Sequence, residues 1–293
     1  MKTKKNKLPD TFAVFILTHG RPNNVITVKT LRRHGYTGKI VFVVDNEDAC
    51  GPDYIKNFGA ENVSIFDKKA EADNCDEGNN FDERRTITMA RNACFDIAQS
   101  RGITHFLQLD DDYTEFKFRF EKELSKKWII LDLDSVMNSF LAYYKAIPAR
   151  SIAFSQGGDH IGGYAGQTKL RRKCMNSFFC STERPFKFVG AMNEDVNTYT
   201  TLGSRGALFF TFTSVQLDQK QTQSQVGGIT DMYQKFGTYC KAFTTVMMQP
   251  SSVKVSMMQS VNSRIHHAVN WKTTVPRIIK EKYKKRNENN NPI

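Results

Sequence analysis

Three apolar runs in the first 110 residues restrict the fold more than anything else in this chain. "FAVFIL" (12–17), "KIVFVVDNED" (39–48) and "ITHFLQL" (103–109) are strand-length and carry few polar residues before their ends. An alternating strand needs cover on one face, whereas a continuously apolar strand needs it on both. "NVSIFD" (62–67) reads as another strand, and Val25–Arg33, ended by Gly35, as a helix. From Glu83 to Ser100 the period turns helical, with Ile87, Ala90, Cys94, Ile97 and Ala98 on one face, Asp82 suited to the N-cap and Gly102 to the stop. Residues 68–82 read as a polar loop. Strands alternating with helices predict a parallel sheet flanked by helices.

In open parallel sheets, ligands bind beyond the carboxyl ends of the strands. The loop after the first strand (His19, Gly20, Arg21), the turn after the second (Asp45, Asn46) and Asp110–Asp112 in "FLQLDDDYTEF" are therefore expected to face one crevice. Three adjacent carboxylates repel one another. An acidic turn accounts for one of them but poorly for three, whereas alternate carboxylates such as Asp110 and Asp112 can share one hard divalent cation.

The second half mixes its signals. "LDSVMNSFLAYYKAIP" (133–148) reads as a helix stopped by Pro148, "SIAFSQ" (151–156) as a strand, and 157–167 as a glycine-rich loop followed by the basic "KLRRKC" (169–174). "FKFVGAMNEDVNTYTTLG" (186–203) holds a second acidic pair and then a helix; "GALFFTFTSVQL" (206–217) reads as a strand before a glutamine-rich loop (219–225). Residues 230–237 read as a helix, 242–250 as a strand, and "SRIHHAVNW" (263–271) as a last strand-like segment. Adjacent His266 and His267 should then point to opposite faces, so that at most one serves a site.

The formal net charge is +12. An excess of that size suits a polyanionic partner, nucleic acid above all, although solubility alone is a simpler account. No run approaches the ~20 apolar residues that span a bilayer, and no signal-peptide core follows the basic start. The expectation is a protein off the membrane in the cytoplasm, the host's if the chain is viral. The six cysteines are scattered without CxxC spacing and are expected to be free thiols.

Several motifs in order resemble the GT-A family of nucleotide-sugar glycosyltransferases. They are "ILTHGRP" with Thr18 and Arg21, "VVDNED" with Asp45, "MARNACFDIA" with Arg91 and Asn92, "LDDD", and Glu194–Asp195 in "NEDVNTYTTLGSRG". They cover about residues 12–215. Within that superfamily "HGRP", "LDDD", "NEDVNTY" and "HHAVNW" resemble the phage-type glycosyltransferases associated with TET/JBP dioxygenases, taken to glycosylate hydroxymethylated pyrimidines in DNA.

The resemblance implies an α/β, GT-A-like (Rossmann-like) fold with a mixed, mainly parallel sheet flanked by helices. It implies a nucleotide-sugar donor, a UDP-sugar first among them, and Mn²⁺ or Mg²⁺. Thr18, Arg21, Asp45, Arg91, Asn92, Asp110 and Asp111 would bind the donor; Asp110, Asp112 and a late histidine, His266, would hold the metal. Asp195, with Glu194 beside it, would deprotonate the acceptor hydroxyl, although both suit a helix start equally well; Asp231 and Asp159 are rivals. Lys169, Arg171, Arg172 and Lys173 would meet DNA phosphates, and Trp271 a base or sugar unless it is core.

One domain is expected over 11–275, with a donor half to 115 and an acceptor half beyond it, a basic arm at 1–10 and a basic tail at 276–293. Three alternatives stay open: a glycan or protein acceptor, a nucleotidyltransferase, and a non-enzymatic nucleic-acid-binding module. The last leaves the three aspartates without a purpose.

Overall fold

Alternate residues of the first strand, β1 (Phe12–Leu17), enter two different cores: Phe12, Val14 and Ile16 on one face, Ala13, Phe15 and Leu17 on the other. The uninterrupted apolar run is thus a strand buried on both faces, and it organises the sheet. The computed structural model describes residues 7–76, 84–119, 128–160, 174–220, 239–258 and 264–284.

The remaining strands of the main sheet are β2 (Lys39–Asp45), β3 (Val63–Phe66), β4 (His105–Asp110), β5 (Tyr113–Phe118), β6 (Trp128–Ile129), β7 (Ala149–Ser155), β8 (Phe178–Ser181) and β9 (Leu208–Gln219). Their order is β3-β2-β1-β4-β8-β7-β9-β5-β6. The pairings make β2, β3, β4, β6, β7 and β9 run with β1, and only β5 and β8 against it. The sheet is mixed and mainly parallel, as expected.

One face is covered by α1 (Ile26–Arg33), α2 (Gly51–Phe58) and α5 (Leu133–Ala146), which contribute Leu31, Tyr54 and Phe140 to its core. The other carries α4 (Thr88–Ser100) and α6 (Glu194–Ser204), which contribute Cys94, Phe95 and Tyr199. The ends of β1, β2 and β4 emerge side by side, because β1 lies between the other two.

The structure corrects four local readings. Residues 68–73 form α3 (Lys68–Asp73) rather than loop; Asp67 caps it by accepting the Ala70 amide at 3.0 Å. The helix of the "MARN" segment starts at Thr88, so Asp82, outside the described residues, is not its cap; the cap position is Ile87 and has no side-chain bond. The stretch expected as a strand at 242–250 lies mostly in a helix, α7 (Cys240–Met248), with Ala242 and Thr245 inward at three-residue spacing. A short run rich in apolar and β-branched residues does not settle its own period.

The fourth correction concerns short strands. β5, β6 and β8 gave no clear signal, and β10 (Val253–Met258) pairs with β11 (Arg264–Val269) as a separate two-stranded sheet. The segment expected as a helix at 230–237, and most of the glutamine-rich loop, lie outside the described residues. A short helix, α8 (Trp271–Thr274), leads into 276–284, which packs back on the body: the Lys280 amide donates to Gly206 O at 3.3 Å and the Arg150 guanidinium lies 4.6 Å from the Tyr283 ring. No helix among the described residues is long and apolar enough to cross a membrane.

Candidate active site

The turn after β4 is stitched to the start of α1 through Thr27. Its hydroxyl donates to Asp110 O at 2.7 Å and accepts the Tyr113 amide at 3.0 Å, and its own amide donates to Asp111 O at 3.1 Å. These bonds hold the turn on both sides of Asp112, whose own carbonyl accepts the Lys220 amide at 3.3 Å. They line a cavity of about 630 Å³ together with Thr18, Arg21, Asp45 and Glu194. A crevice therefore lies at the strand ends, and it collects Thr18, Arg21, Asp45, the three aspartates and Glu194 from the residues singled out in the sequence.

The three carboxylates have different surroundings. Asp111 is buried and accepts Thr18 Oγ1 at 2.8 Å and Arg21 Nη1 at 3.0 Å, tying the loop after β1 to the end of β4. Asp110 accepts Arg91 Nη2 at 3.0 Å. Burial nevertheless pushes its carboxyl up to about 7, with Asp112 and Glu194 adding to the rise and Arg91 opposing it. Asp112 is pushed up to about 6, by burial first and the Asp111 charge second, and its Oδ1 is buried with no hydrogen-bond partner. Three carboxylates here carry more negative charge than Arg21 and Arg91 balance.

Asp110 and Asp112 fit a hard divalent cation in that role. Among the described residues no group of three or more His, Cys, Asp or Glu side chains is arranged to hold a metal. Two carboxylates are enough for a cation that completes its shell with diphosphate oxygens and water. The expected third ligand, His266, does not join them into such a group. The histidine rings do not diverge either: their centroids are 4.1 Å apart, and it is His267 that is buried, with its Nδ1 3.4 Å from Asn193 Nδ2.

Arg91 is not the open helix arginine that the sequence allows. It is 1% exposed, with its guanidinium carbon 5.1 Å and 5.8 Å from the rings of Phe178 and Phe188. Its Nε donates to Glu194 Oε1 at 2.9 Å while Nη2 holds Asp110, so one buried cation joins the two acidic motifs. Burial alone would weaken its charge; Asp110 and Glu194 outweigh that and hold the proton more firmly than usual. Its Nη1 is buried without a partner.

Asn92, one residue on, faces away from the cavity, pairing with Phe188 through two bonds of 3.1 Å and 2.7 Å to its carbonyl and amide. Asp195 is buried, and its Oδ1 accepts the Val196 amide at 2.7 Å, whereas Glu194 lies on the cavity wall. Trp271 is partly buried, stacks on Tyr199 at 5.7 Å and packs against the second core. Lys169, Arg171, Arg172, Lys173 and Asp231 lie outside the described residues.

Sequence reasoning gave no role to His19, Lys68 and Asn193, which also line the cavity. His19 follows β1 in "THGRP", and its position in the loop was the only available signal. Asn193 stands directly before the acidic pair and takes φ +54, a left-handed conformation that asparagine tolerates better than most residues. Its amide reaches Lys241 O and Thr245 Oγ1, both at 3.0 Å, fastening α7 beside the cavity.

A mixed, mainly parallel sheet with two acidic motifs at its strand ends is the frame, and comparison with known families gives the class. Residues 12–228 match the model of the TET-Associated Glycosyltransferase family, and the chain belongs to that family. It is accordingly a glycosyltransferase. Two solved structures are similar at low identity. Glucosyl-3-phosphoglycerate synthase from Mycobacterium tuberculosis, solved with Mg²⁺ and uridine diphosphate, is 8% identical with a TM-score of 0.45, over 88% of this chain and 87% of that one. TarS residues 1–349 from S. aureus are 9% identical with a TM-score of 0.41, over 80% of this chain and 65% of that one. No curated protein sequence matches the chain.

Proposed function

We propose that this glycosyltransferase moves a sugar from a nucleoside-diphosphate sugar to the hydroxyl of a hydroxymethylated pyrimidine in DNA, with a divalent cation. One observation carries the donor half of that reading. In a chain of this family, the cavity at the strand ends holds Asp110 and Asp112, and Asp112 keeps a buried carboxylate oxygen with no partner.

When bound, the cation supplies positive charge that stabilises the departing diphosphate. Asp110 and Asp112 would hold it; Arg91 and the Thr27 bonds keep those carboxylates in place. Arg21, anchored on Asp111, adds positive charge at the loop that closes one side of the cavity. Direct displacement at the anomeric carbon needs a base for the acceptor hydroxyl. We assign that proton to the Asp195–Glu194 pair, of which Glu194 lines the cavity and is held by Arg91. The TET association in the family's name and the net charge of +12, which suits a polyanion, support the DNA acceptor.

The test is release of nucleoside diphosphate from a panel of UDP- and GDP-sugars, with Mn²⁺, Mg²⁺ or chelator. Hydroxymethylated DNA, unmodified DNA and glycans would be offered as acceptors. Metal-dependent release stimulated only by hydroxymethylated DNA supports the reading. Stimulation by glycans and not by DNA would replace the acceptor, and release unaffected by chelator would remove the cation.

A further inference from the structure

The donor-binding reading leaves open which side chain reads the nucleoside. Asp45, at the end of β2, is the residue that the sequence offers, yet both of its oxygens are engaged. Oδ2 lies 2.7 Å from His19 Nδ1, Oδ1 accepts Lys68 Nζ at 3.3 Å, and the residue is 6% exposed. Lys68 is itself buried against Asp45. The His19 side chain, by contrast, is 52% exposed and on the cavity wall.

The sheet places this cluster where a base would lie. β2 and β4 flank β1, and the register sets Asp110 level with Val43, so Asp45 lies two residues farther out and roughly 12 Å from Asp110. That separation suits the reach from a diphosphate near the aspartates to its nucleoside. Val43 and Phe66, from β2 and β3, give the same end of the cavity an apolar wall.

We propose that His19, oriented by Asp45, reads the base of the donor nucleotide by donating from Nε2 to a keto oxygen. This rests on the donor reading above. A ring nitrogen 2.7 Å from a carboxylate carries a proton. Nε2 on the other side of the ring then donates only when the imidazole is charged. The Asp45 hydrogen bond raises the His19 pKa above its ordinary 6.5; burial opposes the rise, Asp48 assists it and Lys68 opposes it. Uracil and guanine offer a keto oxygen, and adenine does not. Affinity for a keto base is therefore highest at low pH and falls as pH rises through the His19 pKa.

The experiment is calorimetric titration of the full chain with UDP, uridine, ADP and inorganic pyrophosphate across neutral pH, for wild type, H19A and H19Q. Thermal melts confirm folding. In wild type, UDP and uridine weaken as pH rises. H19A lowers both affinities about tenfold or more at the acidic end, the scale of one charged hydrogen bond. H19Q, whose amide donates at every pH, retains part of the affinity and loses the pH dependence, while ADP and pyrophosphate are indifferent to either change. Equal loss for pyrophosphate would make His19 a phosphate contact and overturn the proposal, as would UDP binding unchanged in H19A. Failure of wild type to bind any of these nucleotides would sink the donor reading itself, a different result from UDP binding that ignores His19. By NMR, D45N should move the His19 titration downward; an unmoved titration would overturn the orienting role of Asp45.

Discussion

Asparagine at position 112 keeps the shape of the side chain and removes its charge. Burial and Asp111 both push the Asp112 carboxyl up, so its charge opposes folding. D112N should therefore melt no lower than wild type. Metal-dependent donor turnover should fall at least about a hundredfold, the scale of losing one charge-stabilising group. Melting and turnover measured on one preparation check this; turnover that survives would remove Asp112 from the metal pair. Arg91 behaves oppositely. R91M leaves Glu194 buried and Asp110 half-buried without their shared cation, and losing one partner of such a buried pair costs up to about 3–5 kcal/mol. Denaturant unfolding should show that loss, and E194Q in the same chain should recover part of it. Lysine is no substitute, because a point charge cannot bond both carboxylates with a planar fork.

At the scale of elements, the segment entering α6 decides where the second acidic pair sits. Gly190 takes φ +86, where a Cβ is strained and would collide with the Asn197 amide. That amide holds Val189 O at 3.1 Å and Met192 O at 2.9 Å, and Thr88 Oγ1 holds Gly190 O at 2.7 Å. G190A should cost about 1–3 kcal/mol and lower transfer more than donor binding, because it displaces Glu194 and Asp195 rather than the β4 turn. Separate measurement of Kd for the donor and kcat for transfer checks it. The β-strand ends and "LDDD" were legible in the sequence because a strand buried on both faces must be written as an apolar run, and the residues just past its carboxyl end must lie at the crevice. The helix at 240–248 was not, because its short run of apolar and β-branched residues, Phe243 to Met248, suits a strand as well as a helix. Arg91 was legible as a motif residue but not as a buried bridge, since its partners come from β4 and α6. The Trp271 stack on Tyr199 and the meeting of the two histidine rings depend likewise on pairings that no local pattern records. His19 went unassigned because Asp45, the obvious reader from sequence, reveals only in three dimensions that both its oxygens are engaged.

For the whole molecule, a cavity at the strand ends and a net charge of +12 both support the proposal that this family member transfers a sugar onto DNA. The pocket lies at strand ends, so a pyrimidine within a duplex would have to leave the stack to reach it. The measurement that tests the claim most directly is the mass of nucleosides digested from hydroxymethylated DNA after incubation with the chain, a nucleotide sugar and a divalent cation, with D112N in parallel. The account predicts a sugar-sized gain on the hydroxymethylated pyrimidine with wild type and none with D112N. DNA of unchanged mass while the same donor is transferred to a glycan or protein would contradict it.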